Sequence, residues 1–468
     1  MSGFHTVEKI GGTSMTRFAD VMNNVIIGKR RGDELYNRIF VVSAYGGITN
    51  LLLENKKTGD PGIYGFFAMD SQEWRPALEK TREGMLRLNR TFENIGLDIA
   101  KADEFVNQRL DGLIVSLENL MSLRTFGHFK PAEYLPAARE FLAAVGEAHS
   151  AFNSALILQA NGINARFVDL SGWKSMENHD LDSAIVSAFE GMDFAHEMPI
   201  VTGYGKCDQG IMKTFDRGYS EITFSKLAVL THAREGVIHK EFHLSTGDPK
   251  LIGEDKVEVI GNTNFDIADQ LSDMGMEAIH PKAAKQMEGQ NIPIRVKNAF
   301  DPEHPGTLIS RDYISPVPRV EMICGRNDII AIEVHDPKMV GESGYDYHLT
   351  ECLKNHHISY IAKTTNANTI THFVPERNKT LEACLADIRR KFPESKVETC
   401  KIGIISVIGT NMRVPGFLTR AAKTLFDAGI NVLALDQTMR QVNIQFMLNR
   451  DDFKNAQIVL HREFVEKN

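Results

Sequence analysis

The sequence of 468 residues has little cysteine and no closely spaced cysteine pair. The five cysteines are scattered along the chain and odd in number: Cys207, Cys324, Cys352, Cys384 and Cys400. This usage argues against a disulfide framework and favours a reducing compartment. The sequence also lacks any run of 18 apolar residues and a charged N-terminal stretch followed by an apolar one. We therefore expect a cytoplasmic protein that does not span a membrane.

Positive charge is also in the minority. The chain has 53 Lys and Arg against 61 Asp and Glu, which gives a formal net charge of −8. Such a balance offers no electrostatic attraction to nucleic acid or to an anionic membrane. Hydrophobic residues make up 43% and charged residues 24% of the chain, as in ordinary soluble globular proteins. The length predicts two or three domains.

The first two thirds of the chain alternate short β-rich runs with amphipathic segments. Strand candidates lie at 39–42, 165–168, 199–202 and 292–296. This alternation predicts an α/β domain, which we place at residues 1–312. Apolar residues at helical spacing predict a helical lobe between about residues 66 and 160. Pro316 and Pro318 exclude a helix there and predict an extended linker.

Two segments of similar plan follow the linker. Each begins with a strand-like run, at 329–334 and 401–407, and continues with a turn, a helix and two further strand candidates. The repetition predicts a βαββα unit used twice, at residues 320–395 and 396–468, with the option that the two units intertwine.

A lysine and glycine-rich turn lies near the N-terminus, between a short strand-like run and a helix-like segment. Gly11 and Gly12 let backbone N–H groups approach an anion closely, the helix N-terminus adds partial positive charge, and Lys9 adds a full one. The turn is not a P-loop, because its lysine precedes both glycines. Alone, the turn could bind phosphate or be only a turn.

Several motifs, in order, resemble those of the aspartate kinases, members of the amino-acid kinase family with two C-terminal ACT domains. They are the turn Lys9-Ile10-Gly11-Gly12-Thr13-Ser14, the loop from Val41 to Leu52, Gly146-Glu147, Arg217-Gly218-Tyr219-Ser220-Glu221, Ile279-His280-Pro281 and the tail from Ile408 to Val432. The resemblance covers essentially the whole chain. It implies an open, mostly parallel sheet sandwiched by helices, followed by two βαββα ACT units.

The resemblance implies the reaction of ATP with L-aspartate to give 4-phospho-L-aspartate and ADP, the first step of aspartate-family biosynthesis. The acceptor carboxylate is already ionised at neutral pH, so the reaction needs positioning and charge neutralisation more than a general base. Lys9 would contact the transferred phosphoryl group, and Gly11, Gly12 and Thr13 would donate backbone hydrogen bonds. Mg²⁺ would bridge nucleotide phosphates, and no protein side chain is assigned as its ligand.

The same resemblance assigns the aspartate site. Arg217 would grip the α-carboxylate and Glu147 would accept from the α-ammonium, with Ser43, Thr49 and Ser220 completing the pocket. Glu147 as an exposed helix carboxylate and Arg217 as a surface arginine remain alternatives. Ser43 and Thr49 could instead be ordinary strand-end or helix-cap residues.

Some positions depart from the family pattern. Glu221 replaces an aspartate, and it is predicted either to orient Lys9 in catalysis or to be a helix N-terminal acid. Asp248 and Lys250 are predicted to bind the nucleotide, although Asp248-Pro249 alone is a turn signal. Glu277 replaces a lysine and reverses its charge, so the adenine side of the site is expected to differ.

The regulatory half departs as well. Ile361 and Asn366-Ala367 occupy positions where lysine-responsive members carry residues that include acids, so feedback by lysine is not expected. Another amino-acid effector could bind near the turn and following helix, at Met339, Glu342, Tyr345 and Asp346. Exposed charges at a helix start are the alternative explanation. ACT units also pair through sheet edges, which predicts a homodimer or higher oligomer.

Two other interpretations stay open at the level of sequence. One is a kinase of another small amino acid, and the other is a catalytically weak or silent ACT-containing amino-acid sensor. Lys9, Glu147 and Arg217 favour an enzyme. The departures suggest a specialised paralogue that lysine does not control.

Overall fold

The computed structural model describes residues 3–124, 126, 128–174, 180–208, 210–215, 218–276 and 278–466. The chain forms two compact units. Unit 1 comprises Met1–Leu244 and Ile279–Arg311, and unit 2 comprises Ser245–Ala278 and Asp312–Asn468. The domain bounds drawn from the sequence remain predictions.

The strands, in chain order, are β1 Thr6–Ile10, β2 Arg38–Val42, β3 Ala165–Val168, β4 Met198–Thr202, β5 Glu235–Lys240, β6 Asn262–Asn264, β7 Ile294–Asn298, β8 Thr307–Ser310, β9 Met322–His335, β10 Ala362–Thr365, β11 Thr369–Pro375, β12 Lys396–Ile408, β13 Val432–Gln437 and β14 Asn443–Asn449.

The α-helices are α1 Gly12–Thr16, α2 Phe18–Val21, α3 Ile48–Leu52, α4 Ile63–Ala68, α5 Trp74–Arg90, α6 Ile99–Arg124, α7 Pro131–Ala160, α8 Leu181–Phe189, α9 Ile211–Phe215, α10 Tyr219–Leu230, α11 Pro249–Ile252, α12 Phe265–Asp273, α13 Pro281–Gly289, α14 Tyr345–Asn355, α15 Leu381–Lys391, α16 Phe417–Asp427 and α17 Phe453–His461. Short 3₁₀ segments lie at Gly32–Leu35, Glu93–Ile95, Pro337–Met339 and Arg450–Asp452, and π-helical turns at Met22–Ile27 and Arg462–Glu466.

The sheet of unit 1 has the strand order β3-β4-β2-β1-β5-β7-β8. All neighbours in this order are parallel except β7 and β8, which are antiparallel. Every residue of β1, β2 and β4 is buried, as expected for central strands covered by helices on both faces. The predicted α/β class with a mostly parallel sheet is confirmed.

Helices α4 to α7 occupy the stretch predicted to be a helical lobe. α7 begins with Pro131 at a first-turn position, where a missing N–H costs nothing. It is long and apolar enough to cross a membrane, but 83% of its most apolar window is buried inside the structure. Asn89 of α5 joins this helix through His149 Nε2 at 2.7 Å and Asn153 Nδ2 at 2.8 Å. α7 is thus a core helix of unit 1.

Unit 2 contains an antiparallel sheet of order β10-β11-β9-β12-β14-β13. β9 and β12 pair along their lengths, so each strand contributes to both halves of the sheet. Two apolar cores follow, one including Leu349 and Leu385 of α14 and α15, the other including Leu425 and Leu460 of α16 and α17. Most predicted strands and helices of this region are present. β10 begins at Ala362, and Ile358, which precedes it, packs into the first core.

Candidate active site

Lys9 and Glu221 meet at the carboxyl end of the central strand of unit 1. Lys9 lies near the end of β1 with its side chain 9% exposed, and its Nζ is 3.3 Å from Oε1 of Glu221. Glu221 lies in the first turn of α10, and its Oε2 accepts the backbone N–H of His280 at 2.5 Å. Burial alone would raise the pKa of Glu221, but the charges of Lys9 and Lys240 outweigh it and hold that pKa below its ordinary value. The two residues predicted to act together are therefore in contact as an ion pair.

A cavity of about 270 Å³ opens at the same edge of the sheet. Six of the residues predicted from the sequence line it: Gly12, Thr13, Ser43, Thr49, Glu147 and Ser220. These residues come from the segments that follow β1 and β2 and from helices α1, α3, α7 and α10. The carboxyl ends of parallel strands are where open α/β sheets bind ligands.

Glu147 is a buried carboxyl group at this cavity. It lies within α7, is only 3% exposed, and its Oε2 has no hydrogen-bond partner in the described structure. Burial raises the pKa of Glu147 to about 8, although the charge of Lys9 and the backbone N–H groups of Ala44 and Tyr204 act in the opposite direction. A Cβ at Gly203 would lie 2.8 Å from this Oε2, so a side chain there would collide with the carboxyl group.

Three serines connect the end of β2 to helices α7 and α10. Ser43 Oγ, directly after β2, is 3.4 Å from Oγ of Ser220 in α10. Ser150 of α7 donates from its Oγ to the carbonyl oxygen of Ser43 at 2.8 Å. Thr49 belongs to α3, whose N-cap Gly47 has a φ of 87°, a conformation that favours glycine.

Other predicted residues lie elsewhere or outside the described residues. Arg217 and Glu277 are outside them. Asp248 and Lys250 belong to unit 2, where Asp248 caps α11 by accepting the backbone N–H of Lys250 at 3.0 Å. This contact corresponds to the turn interpretation of Asp248, and a nucleotide role stays a prediction.

The residues predicted to bind an effector form several local contacts in unit 2. Met339 is part of the apolar core, and Glu342 is exposed. Tyr345 donates from its hydroxyl to Oδ2 of Asp336 at 2.8 Å. Asp346 forms an ion pair with Lys363 at 2.7 Å.

Three groups at the site were not predicted from the sequence. Tyr45 and Tyr219 line the cavity, and the backbone N–H of His280 holds Glu221. His280, Tyr45 and Tyr219 each belong to a motif that resembles the family's, so a sequence signal for all three residues was present. Their positions at the site depend on packing between segments that are distant in the sequence.

A magnesium ion at this site would have to enter with the nucleotide and its phosphates. Among the described residues there is no group of three or more His, Cys, Asp or Glu side chains that could hold a metal ion. Mg²⁺ commonly keeps several water ligands and binds through substrate phosphates and one or two carboxylates. Lys9 and the backbone N–H of His280 engage the two carboxylate oxygens of Glu221, so no side chain of the site is assigned as a magnesium ligand.

Comparisons with known proteins identify the family of the chain. A family model described as the amino acid kinase family matches residues 5–298, and an ACT domain model matches residues 405–464. Aspartate kinase Ask_Ect of Stutzerimonas stutzeri (strain A1501) is 48% identical over 464 residues, covering 99% of this chain and 98% of that protein.

Two solved structures share the fold at low sequence identity. E. coli aspartokinase III in complex with lysine and aspartate, in the T-state, matches with a TM-score of 0.72 at 19% identity, over 98% of this chain and 99% of that one. The same enzyme in complex with aspartate and ADP, in the R-state, matches with a TM-score of 0.70 at 20% identity, over 98% of this chain and 99% of that one.

The chain therefore belongs to the amino acid kinase family, with an ACT region in its C-terminal part. Its full-length relative identifies the activity within that family: the chain is an aspartate kinase. The fold and the activity predicted from the sequence are both confirmed.

Proposed function

We propose that the cavity beside Lys9 is where the γ-phosphoryl group passes from ATP to the side-chain carboxylate of L-aspartate. A carboxylate oxygen of aspartate forms the new P–O bond, and the bond between the γ-phosphorus and the bridging oxygen breaks. The electron pair stays on ADP, and no proton has to be removed from the acceptor. The observation that carries the proposal is the ion pair of Lys9 with Glu221, at the edge of the sheet where the cavity opens.

Lys9 supplies the charge that such a transfer needs. Two anionic reactants must approach each other, and a fixed cation at the reacting phosphoryl group stabilises the charge that spreads over its oxygens. Glu221 holds the ammonium group in place through one carboxylate oxygen and is itself held by the His280 N–H through the other. Gly11, Gly12 and Thr13 would add backbone donors from the turn that follows β1.

Glu147 would receive the α-ammonium group of aspartate. Its unpartnered Oε2 is buried at the cavity, and a buried carboxylate gains most from a cation that reaches it. Ser43, Thr49 and Ser220 would complete the pocket, and Arg217 would bind the α-carboxylate, as the sequence motif implies.

Magnesium, when bound with ATP, would supply positive charge to the nucleotide phosphates. No side chain of this site is assigned to hold it, because Lys9 and the His280 N–H engage both carboxylate oxygens of Glu221. Asp248 and Lys250 are proposed on the nucleotide side. The protein is further proposed to be cytoplasmic and to form a homodimer or larger oligomer through its ACT region. An amino-acid effector in that region is proposed near Met339, Glu342, Tyr345 and Asp346.

A coupled assay for ADP release, together with hydroxylamine trapping of the acyl phosphate, tests the site. The wild-type protein is expected to turn over L-aspartate and not glutamate, N-acetylglutamate or carbamate. Lys9→Met is expected to lose activity by at least about a hundredfold, in the range of removing a group that stabilises transition-state charge. Lys29→Met is the matched control, because the side chain of Lys29 is 85% exposed. Full activity in Lys9→Met would overturn the role of Lys9, and a folded wild type without turnover would favour the amino-acid sensor.

A further inference from the structure

A second lysine lies at the same edge of the sheet as Lys9. Lys240 is the last residue of β5, the strand that pairs in parallel with β1. The register sets Ile238 opposite Lys9 and His239 opposite Ile10. If this register is continued by one residue, Lys240 lies opposite Gly11. The N–H of Gly11 donates to the carbonyl oxygen of His239 at 3.4 Å.

The alternation of side chains places Lys240 on the same face of the sheet as Lys9. Paired residues of neighbouring strands share a face, and residues two apart along a strand do so too. Lys240 is two residues beyond Ile238, so it projects to the face of Lys9. The opposite face provides an internal check, because the same diagonal step brings His239 Nε2 within 2.7 Å of Glu8 Oε2.

Glu221 interacts with both lysines. It contacts Lys9 directly, and the positive charge of Lys240 also favours its ionised form. Two ammonium groups beside a glycine turn are suited to phosphate oxygens, since each lysine offers three N–H donors.

We propose that Lys240 is a second phosphate-binding lysine, which holds the nucleotide phosphates beside the Gly11-Gly12 turn while Lys9 contacts the transferred group. This inference rests on the proposed function, because it takes the cavity edge near Lys9 as the phosphoryl-transfer site. The alternative is that Lys240 only pairs with Glu221 and so keeps Lys9 in place. Only the phosphate-binding role predicts that nucleotide binding weakens when Lys240 is replaced.

The test compares Lys240→Met, Lys240→Arg and the control Lys29→Met in the full chain. Binding of MgADP without aspartate is measured by calorimetry, and steady-state rates are measured with ATP and aspartate varied separately. Lys240→Met is expected to weaken MgADP binding and to raise the KM for ATP by about tenfold or more, the size of a lost hydrogen bond to a charged group. The KM for aspartate is expected to change less than about threefold, on the same scale of energies. Lys240→Arg should restore most of the nucleotide affinity, and Lys29→Met should resemble the wild type.

Unchanged MgADP binding in Lys240→Met would overturn the proposal, whatever happens to kcat. A fall in kcat alone would assign Lys240 to the positioning of Lys9 through Glu221. If Lys240→Met does not fold by circular dichroism, Lys240→Gln replaces it, because glutamine keeps an N–H donor without the charge. The binding measurement does not depend on turnover, so a wild type that fails to phosphorylate aspartate would refute the proposed function and still leave the role of Lys240 decided.

Discussion

Folding removes the carboxyl group of Glu147 from water and leaves one of its oxygens without a partner. Burial therefore raises its pKa to about 8, and the folded protein holds a proton between pH 4.5 and 8 that the unfolded chain has released. Because the native state binds more protons in this range, its free energy of unfolding falls as pH rises through it. The loss of stability near pH 8 is the cost expected for a buried carboxyl group, such as that of Glu147, whose proposed role is to bind a substrate cation.

Glu147→Gln is expected to remove this pH dependence. The variant should gain stability relative to the wild type between pH 6 and pH 9, by on the order of a few kcal/mol, because an amide cannot ionise. It should also lose affinity for aspartate, since the amide carries no charge to attract the α-ammonium group. Urea unfolding at pH 6 and pH 9 and calorimetric titration with aspartate measure both effects. If the free energy of unfolding changes between pH 6 and pH 9 by the same amount in Glu147→Gln as in the wild type, the raised pKa of Glu147 is contradicted.

At the residue scale, six of the residues assigned from motifs line the cavity, but the motifs do not record their environment, and their roles remain predictions. Glu147 and Ser43 were assigned from motifs, and both line the cavity. The burial of Glu147 depends on helix α7 packing against segments far away in sequence, which no local motif records. Lys240 was not assigned, because its position follows from the pairing of β1 with β5, about 230 residues apart.

At the scale of elements, α7 packs closely against the loop after β2, whose residue Ala44 lines the cavity. A Cβ at Gly146 of α7 would lie 2.9 Å from Cβ of Ala44, closer than real Cβ contacts allow. Gly84 of α5 is also inside a helix, but a Cβ there would meet nothing within 4 Å. The two glycines therefore form a matched pair, one crowded and one open.

Gly146→Ala is expected to push the loop after β2 away from α7 and to raise the KM for aspartate by about tenfold, as small misplacements of binding groups commonly do. Overpacking should also cost about 1–3 kcal/mol of stability. Gly84→Ala should leave the kinetics unchanged and stabilise the protein by about 0.5–1 kcal/mol, because alanine is the better helix former. Thermal unfolding and steady-state kinetics of both variants check this. If Gly146→Ala and Gly84→Ala behave identically, the close contact of Gly146 with Ala44 does not shape the aspartate site.

A second group of contacts, on the other face of the sheet from Lys9, joins three strands. Glu8 of β1 accepts from Arg38 of β2 at 2.6 and 2.9 Å and contacts His239 of β5 at 2.7 Å. Burial would raise the pKa of Glu8, but Arg38 and His239 outweigh it and hold that pKa well below 4.5. The stabilisation is present above the unfolded pKa and is lost as pH falls through the folded one.

Glu8→Gln is expected to destabilise unit 1 by about 3–5 kcal/mol, since it leaves the buried guanidinium of Arg38 without its counter-charge. Asp20→Asn removes one partner of the exposed pair with Arg17 and should cost less than about 1 kcal/mol. Denaturant unfolding at pH 7 compares the two. A loss below 1 kcal/mol for Glu8→Gln would mean that the side chain of Arg38 is compensated in another way.

The elements themselves were predicted well where local pattern decides them. The run 165–168 coincides with β3, and the stretch predicted as helical contains α5, α6 and α7. The limits of β9 and β12 were predicted less well, since the two strands reach 14 and 13 residues. Their length comes from pairing with each other, a non-local interaction that propensity along the chain does not record.

At the scale of the whole molecule, unit 2 combines the ACT region with residues 245–278, which interrupt unit 1 in the sequence. Asp248 and Lys250, the predicted nucleotide-side residues, belong to this inserted segment. Within unit 2, Thr246 is 3.0 Å from His461 Nε2 of α17, and Thr263 donates to Glu321 at 2.8 Å. The segment that carries Asp248 and Lys250 is thus attached to the ACT region.

We expect that lysine does not regulate the activity through the ACT region. Of the two carboxylates proposed at the effector site, Glu342 is exposed and Asp346 already forms an ion pair with Lys363, so an ammonium group that binds Asp346 would have to displace that lysine. Allosteric coupling typically changes an affinity by about fivefold or more, whereas saturating lysine should change the rate by less than about twofold here. Rates measured with lysine, threonine and methionine, alone and in pairs, at subsaturating ATP would detect such coupling. Lys363→Ala, which frees Asp346, tests whether that ion pair is the obstacle, and fivefold inhibition of the wild type by lysine would show that it is not.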